Sequence, residues 1–170
     1  KSTTLRTLVG LLRAESGTIR ILGHDVPAAL DRVIDRVGLI IEEPRFFPTM
    51  SAHTNLALLA QAIGAPASRV TSSLEQVGLG LHGQITARAL SLGMKQRLAI
   101  ASTLLKDPDV FIFDEPTNGL DPAGIHAVRE TIRSLAASGR TVVVSSHNLA
   151  EVQLMADTVS IIARGKLLHE

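Results

Sequence analysis

Hydrophobic positions along this chain follow two periods, one helical and one strand-like. Leu5, Leu8, Val9, Leu11 and Leu12 recur at helical spacing directly after Lys1-Ser2-Thr3-Thr4, which predicts an amphipathic helix with no start signal ahead of it. Residues 17–22 alternate as a strand does, and Gly23-His24-Asp25 reads as a turn. A helix is predicted over 28–37 and a short apolar strand over 38–41. The loop after it, Glu42-Glu43-Pro44-Arg45-Phe46-Phe47-Pro48, contains two prolines. From 51 to about 83 the pattern is helical, broken near Gly64-Ala65-Pro66 and lacking any strand signal, so it reads as a helical insertion. Residues 97–106 are helical again, with Leu98, Ala101, Leu104 and Leu105 on one face. Val110-Phe111-Ile112-Phe113 and Val142-Val143-Val144 are uninterrupted apolar runs, the pattern of strands buried on both faces. Between them, 123–137 predicts a helix ended by Gly139. A helix over 148–156, a strand over 159–163 and a turn at Arg164-Gly165 into Lys166-Leu167-Leu168 complete the pattern.

Buried strands alternating with helices predict an α/β domain with a mostly parallel core sheet. In such sheets ligands sit beyond the carboxyl ends of the strands. The polar residues that follow the two apolar runs, Asp114-Glu115 and Ser146-His147, are therefore the first candidates for chemistry. A length of 170 residues suits one domain with a core of its own, and no repeat or linker divides it. With 45% hydrophobic and 19% charged residues the chain is not a disordered tail. The absence of cysteine excludes a disulfide scaffold, a Cys-ligated zinc site and a thiol nucleophile. No apolar stretch reaches the roughly 18 residues a membrane span needs, and no signal-peptide pattern opens the chain. A net charge of +1 and only four aromatic residues, all Phe, argue against nucleic acid as a partner.

The acidic pair carries the most pointed chemistry. Two adjacent carboxylates at the end of a buried strand are costly unless they meet a cation. A magnesium ion with a phosphate ligand would meet that need, one carboxylate holding the metal and the other polarising water; a helix-capping or surface acidic pair is the alternative. Lys1-Ser2-Thr3 ahead of an apolar helix is compatible with a phosphate-binding loop, and equally with a plain helix cap. In Leu90-Ser91-Leu92-Gly93-Met94-Lys95-Gln96-Arg97, a Ser and a Gly at a helix start can offer a hydroxyl and bare amides to an anion, or simply cap the helix. Pro116-Thr117-Asn118-Gly119-Leu120-Asp121-Pro122 is a rigid turn between strand and helix, and His147 closes the second apolar run as either a catalytic or a structural group. His24, His53, His82, His126 and His169 show no metal-ligand spacing and read as solvated.

Taken in order and at their spacing, these segments resemble the ATP-binding cassette (ABC) ATPase domain over essentially the whole chain. Lys1-Ser2-Thr3-Thr4 resembles the tail of the Walker A loop, Ser91-Leu92-Gly93-Met94 the signature motif, and residues 110–115 Walker B with its catalytic Glu. Gly119-Leu120-Asp121 resembles the D-loop and His147 the switch histidine. The resemblance implies a P-loop NTPase core with a helical subdomain inserted over about 51–107, incomplete at its N-terminus. It implies ATP and Mg2+ as ligands, with two such domains, identical or not, closing head to tail over two ATP molecules. On this reading Lys1, Ser2 and Thr3 bind phosphate, and Ser2, Asp114 and Glu42 serve the magnesium. Glu115 polarises the attacking water, and His147 positions it. Ser91 and Gly93 cover the partner's ATP, and Asp121 relays between the sites. A transmembrane permease subunit is the implied partner, placing the domain in the cytoplasm at the inner face of the plasma membrane.

Three departures from the family pattern matter. The glycines of Walker A, the strand before them and the adenine-stacking aromatic are not in the sequence, so the 170-residue piece by itself is expected to bind ATP poorly. The signature has Leu92 where Gly is usual and Met94 where Gln is common, which leaves less room beside Leu92. Glu42 stands where the family has the Q-loop glutamine, and the loop around it is similar to that of bacitracin and lantibiotic transporters, which points to export of, or protection against, a peptide antibiotic. Phe46, Phe47 and Met50 read either as contacts for the membrane partner or as packing of the insertion on the core. Two rival functions remain at this level: an ABC ATPase that acts on ribosomes or DNA, and a regulatory domain that keeps the fold without turnover.

Overall fold

The computed structural model describes residues 1–42 and 45–169; Glu43 and Pro44 of the two-proline loop lie outside them. At its centre is a three-stranded parallel sheet of order β3-β4-β5, formed by β3 (Val37–Ile40), β4 (Val110–Asp114) and β5 (Thr141–Ser145). Val37 pairs with Val110 and Val110 with Thr141. The central position of β4 explains its unbroken apolar sequence, because a parallel strand with a layer on each face has no solvated side.

Alternation along β4 divides the core in two. Phe111 and Phe113, both fully buried, face the larger cluster, whose helical members include Leu98, Ala101, Leu104, Val128 and Ile132. Ile112 faces the other way, onto Leu5 and Val9 of helix α1 (Ser2–Leu8) and its C-terminal turn. Gly38 of β3 lies beneath the Phe111 ring: a Cβ there would come within 2.8 Å of Phe111 Cδ1 and 3.0 Å of Thr103 Cβ. The missing side chain is what lets the ring and the helix above it settle onto the sheet. The Val142–Val144 run is half-buried rather than buried. β4 has a neighbour on each edge, whereas among the described residues β5 pairs along one edge only.

Between β3 and β4 the described residues make three α-helices, α2 (Ala52–Ala62), α3 (Ser68–Gln76) and α4 (Leu92–Leu104), with two 3-10 turns between the last two. Among the described residues a single antiparallel bridge, Ser51 to Thr86, is the strand-type pairing in this segment. Helix α4 starts at Leu92, five residues before the strongest part of its apolar pattern, because the Ser91 hydroxyl accepts the Met94 amide at 3.2 Å and fixes the first turn. Helix α5 (Pro122–Ala137) connects β4 to β5 and packs against both β5 and α4. It is followed after β5 by the short α6 (Leu149–Gln153).

The predicted helix over 28–37 is instead two single 3-10 turns, Leu30–Arg32 and Ile34–Arg36, running straight into β3. The apolar positions that suggested a helix, Leu30 and Val33, are three apart, which suits a three-residue turn equally well. Two hairpins flank the core: β1 (Ile19–Ile21) with β2 (His24–Val26), and β6 (Ile161–Ala163) with β7 (Lys166–His169). The first turn falls on Leu22-Gly23, and His24 and Asp25 belong to the second strand. Both turn residues have positive φ, +51° and +82°, as do Arg164 and Gly165 at +49° and +75°. Two consecutive left-handed residues match the twist of a two-residue hairpin; the first turn lies one residue earlier than the expected Gly23-His24-Asp25, and the second is at Arg164-Gly165 as expected.

Candidate functional site

Asp114 ends β4 and stands opposite Ser145, which ends β5. The Ser145 hydroxyl donates to Asp114 Oδ1 and accepts the Glu115 amide at 3.0 Å. That amide also reaches the Ser145 carbonyl at 3.2 Å. Ser145 is buried to 8% exposure, so its hydroxyl is a fixed bridge between the two strand ends. Sequence reading passed over it in favour of Ser146; the readable signal was its register partner, a carboxylate closing the adjacent apolar run.

Glu115 takes a left-handed backbone at φ +47°, a conformation disfavoured for a side chain of its length and held only where surroundings enforce it. Here the two hydrogen bonds to Ser145 enforce it. The consequence is that the Glu115 carboxylate turns across the strand ends. Its Oε2 accepts the His147 amide at 3.3 Å and lies 2.8 Å from His147 Nδ1. Its Oε1 is 3.8 Å from Lys1 Nζ. The Lys1 ammonium in turn donates to the Ser146 carbonyl. Residues 1, 114, 115, 145 and 147, drawn from the start of α1 and the ends of two strands, thus form one cluster.

The other sequence candidates fall elsewhere. Ser2 and Thr3 are exposed in the first turn of α1, which has no side-chain cap. Ser91 is exposed at the N-cap of α4, and Gly93 is buried against α5, where a Cβ on Gly93 would lie 3.0 Å from Gly124 Cα. Asp121 caps α5 by accepting the Gly124 amide at 3.2 Å. Ser91 and Asp121 are therefore exposed where α4 and α5 begin, and Gly93 lies buried at the contact between the two helix starts. Glu42, 81% exposed, pairs with Arg6 Nη2 at 3.1 Å. Leu92 is also exposed; with Phe46, Pro48, Ala87, Arg88, Lys95 and Gln96 it lines a groove of about 210 Å³. Phe46 packs on the core, while Phe47 and Met50 are exposed. The loop carrying them is organised by Asn55, a buried residue the sequence did not flag. Its Oδ1 accepts the Phe47 amide at 2.7 Å, and its Nδ2 donates to the carbonyls of Phe47, Met50 and Ser51. Arg97 ties α4 to the end of α3 through the carbonyls of Val77 and Gly78, and burial pushes its guanidinium pKa down.

The donor set suits a nucleoside triphosphate with magnesium. An ammonium and uncapped helix-terminal amides lie beside two carboxylates, of which Asp114 has one oxygen bonded to Ser145. Among the described residues no group of three or more His, Asp or Glu side chains could hold a metal by itself. Magnesium held by one or two carboxylates together with phosphate oxygens and water needs no such cage.

A parallel sheet with helices on its faces and this cluster at the carboxyl ends of its strands is the α/β core of a P-loop NTPase. The chain belongs to the ABC transporter family, whose model matches residues 1–118. It is 41% identical over its full length to the lantibiotic transport ATP-binding protein SrtF of Streptococcus pyogenes, covering 73% of that protein. Identity to the bacitracin transport ATP-binding protein BcrA of Bacillus licheniformis is 43%, again across the whole chain but over 56% of the relative. An uncharacterized ABC transporter ATP-binding protein of Bacillus subtilis, YhcH, is 39% identical, and the chain likewise spans 56% of it. Among solved structures, cbiO1 of Clostridium perfringens, described as part of the ABC transporter complex cbiONQ, superposes with a TM-score of 0.88 at 26% identity, over 99% of this chain and 70% of that one.

Proposed function

We propose that this chain forms the ATP-binding and ATP-hydrolysing part of an ABC transporter and drives a separate membrane-embedded subunit. The observation that carries the reading is the convergence of Lys1, Asp114, Glu115 and His147 at the strand ends. Lys1 and the first-turn amides of α1 would hold phosphate, and Asp114 with the Ser2 hydroxyl would hold magnesium. That ion supplies charge neutralisation on the phosphates. Glu115 is the general base in this reading: its carboxylate accepts a proton from water at the strand ends. His147 holds the carboxylate through its amide and ring nitrogen and fixes where that base points. The work of such a site is positioning and charge stabilisation.

Ser91 and Asp121 are exposed where α4 and α5 begin, with Gly93 buried between the two helix starts, which supports a role for this surface toward a second ATPase domain facing this one. Phe47 and Met50, presented by the Asn55-organised loop, are proposed to meet the membrane subunit, which would hold the chain at the membrane; no helix among the described residues is long and apolar enough to cross it. We take the transported class to be a peptide antibiotic, on the strength of relatives whose names assign them to lantibiotic and bacitracin transport.

The deciding experiment is ATP turnover by the complete transporter in lipid nanodiscs, with Glu115→Gln as the probe. Loss of the base should lower kcat by roughly 10²-fold or more while ATP still binds. Full turnover by Glu115→Gln would refute the assignment. Peptide protection of cells, lost in the same variant, tests the substrate class.

A further inference from the structure

His147 is 67% exposed, and among the described residues the hydrogen bond of its ring is to Glu115 alone. Its position must therefore come from the backbone on either side. On one side Ser145 is fixed in the sheet. On the other, His147 leads into α6, a five-residue helix with no buried residue of its own. A single turn of this length does not persist in water without outside support.

That support comes largely from α5. Arg129 and Arg133 stand one helical turn apart on it, on the same face. Arg129 Nη1 lies 3.6 Å from Glu151 Oε2, and the two side chains are only 17% and 15% exposed. The Glu151 oxygen is buried and has no hydrogen-bond partner, so the nearby guanidinium is what balances its charge. Arg133 Nη1 donates to the Leu154 carbonyl at 3.0 Å, satisfying an acceptor left free where α6 ends. The remaining supports are local or apolar: Asn148 caps the helix start through the Ala150 and Glu151 amides, and Met155 packs on the core. Two arginines of one helix thus grip both the middle and the end of the segment that carries His147.

We infer that Arg129 and Arg133 form a clamp on α6 that positions His147 against Glu115, with the Arg129–Glu151 pair as its main tie. They are positioning residues, acting through His147 and touching no substrate. The inference rests on the reading of Glu115 and His147 given above. It also gives α5 two jobs at once: its first turn meets α4 at Gly93, and its third and fourth turns hold the histidine segment.

The test uses ATP turnover by the complete transporter. Arg129→Gln should lower kcat about tenfold with KM for ATP within about twofold, since small misplacements at a reacting centre cost rate more than binding. Glu151→Gln should do the same, and the double variant should be no slower than either single one. The charge-swapped pair Arg129→Glu with Glu151→Arg should recover part of the loss. The sharpest readout is the His147→Ala background, where Arg129→Gln should have no further effect on the residual turnover. Wild-type kcat in Arg129→Gln and Glu151→Gln would overturn the clamp, and so would an undiminished Arg129→Gln effect once His147 is gone. Glu115→Gln measured alongside separates the two failures. If it turns over ATP normally, the site reading is wrong; if it is inactive while the clamp variants are normal, the clamp alone is wrong.

Discussion

Gly93 and Gly124 bring two helices together with no side chain between them. A Cβ on Gly93 would sit 3.0 Å from Gly124 Cα, and one on Gly124 would sit 2.7 Å from Asp121 Oδ1. The start of α4 and the cap of α5 are thereby fixed to each other, which places Ser91 and Asp121 on one surface. Gly124→Ala should be destabilising by about 1 kcal/mol, since the methyl collides with the capping carboxylate and displaces Asp121 from the Gly124 amide it caps. Urea unfolding of the variant against wild type checks this, with an unchanged midpoint contradicting it.

Ser145→Ala removes the hydroxyl shared by Asp114 and the Glu115 amide. The direct loss should be about 1–2 kcal/mol of stability. Turnover should fall further than that loss of stability explains, because the left-handed Glu115 backbone depends on the same bridge. A variant with lowered Tm and unaltered kcat would show that the serine is only a packing residue.

Asn55 satisfies four backbone groups of the loop over 47–51 while 6% exposed. Asn55→Leu keeps the volume but strands the Phe47 amide and withdraws one donor from each of the three carbonyls, which keep their backbone partners, so stability should fall by about 1–3 kcal/mol. Proteolysis near Phe47 should rise in parallel. Because the hydrogen bonds of the Asn55 side chain go to residues 47–51 and none goes to the strand-end cluster among the described residues, ATP affinity is expected to stay near wild type, as calorimetry on the complete subunit would report.

Glu42 pairs with Arg6 at the surface. Exposed pairs contribute little, so Glu42→Gln should change stability by less than about 1 kcal/mol. Any larger effect on ATPase activity in the assembled transporter therefore reports on a role at the nucleotide. Unchanged stability together with unchanged coupling of turnover to peptide would remove Glu42 from the magnesium set.

At the opposite, amino-terminal edge of the sheet, Asp109 accepts from Arg36 Nε at 2.6 Å. The hydrogen bond from that guanidinium holds the Asp109 carboxyl below its ordinary value, and Arg140 adds to the effect. A depressed folded-state pKa means that the stabilisation is complete above the unfolded carboxyl value and disappears as pH falls through the folded one. Wild type should therefore exceed Asp109→Asn in stability by a constant margin at neutral pH, and the margin should close only in strong acid. Thermal melts from pH 7 to pH 2 would show this, and a margin that widened on acidification would contradict it.

What the sequence by itself determined is the local and periodic part of this protein. The apolar run at 110–113 had to be a central strand, because no solvated face would accept two phenylalanines and an isoleucine in succession. The order of short motifs from Lys1 to His147 was enough to indicate the family, since each is a contiguous stretch. Leu22, which opens a hairpin turn one residue earlier than expected, and Leu30 and Val33, whose spacing suits two kinds of turn, were misread because local pattern alone does not separate those conformations.

Tertiary structure alone decided which of the candidates meet. Ser145, Asn55 and the pair Arg129–Glu151 carry no motif; they matter because register and packing bring together polar atoms of residues distant in sequence, 31 positions apart at Ser145 and Asp114. The turn of Glu115 across the strand ends likewise follows from hydrogen bonds to another strand. Burial makes such contacts strong by removing competing water, and burial is a property of the folded whole rather than of any one segment.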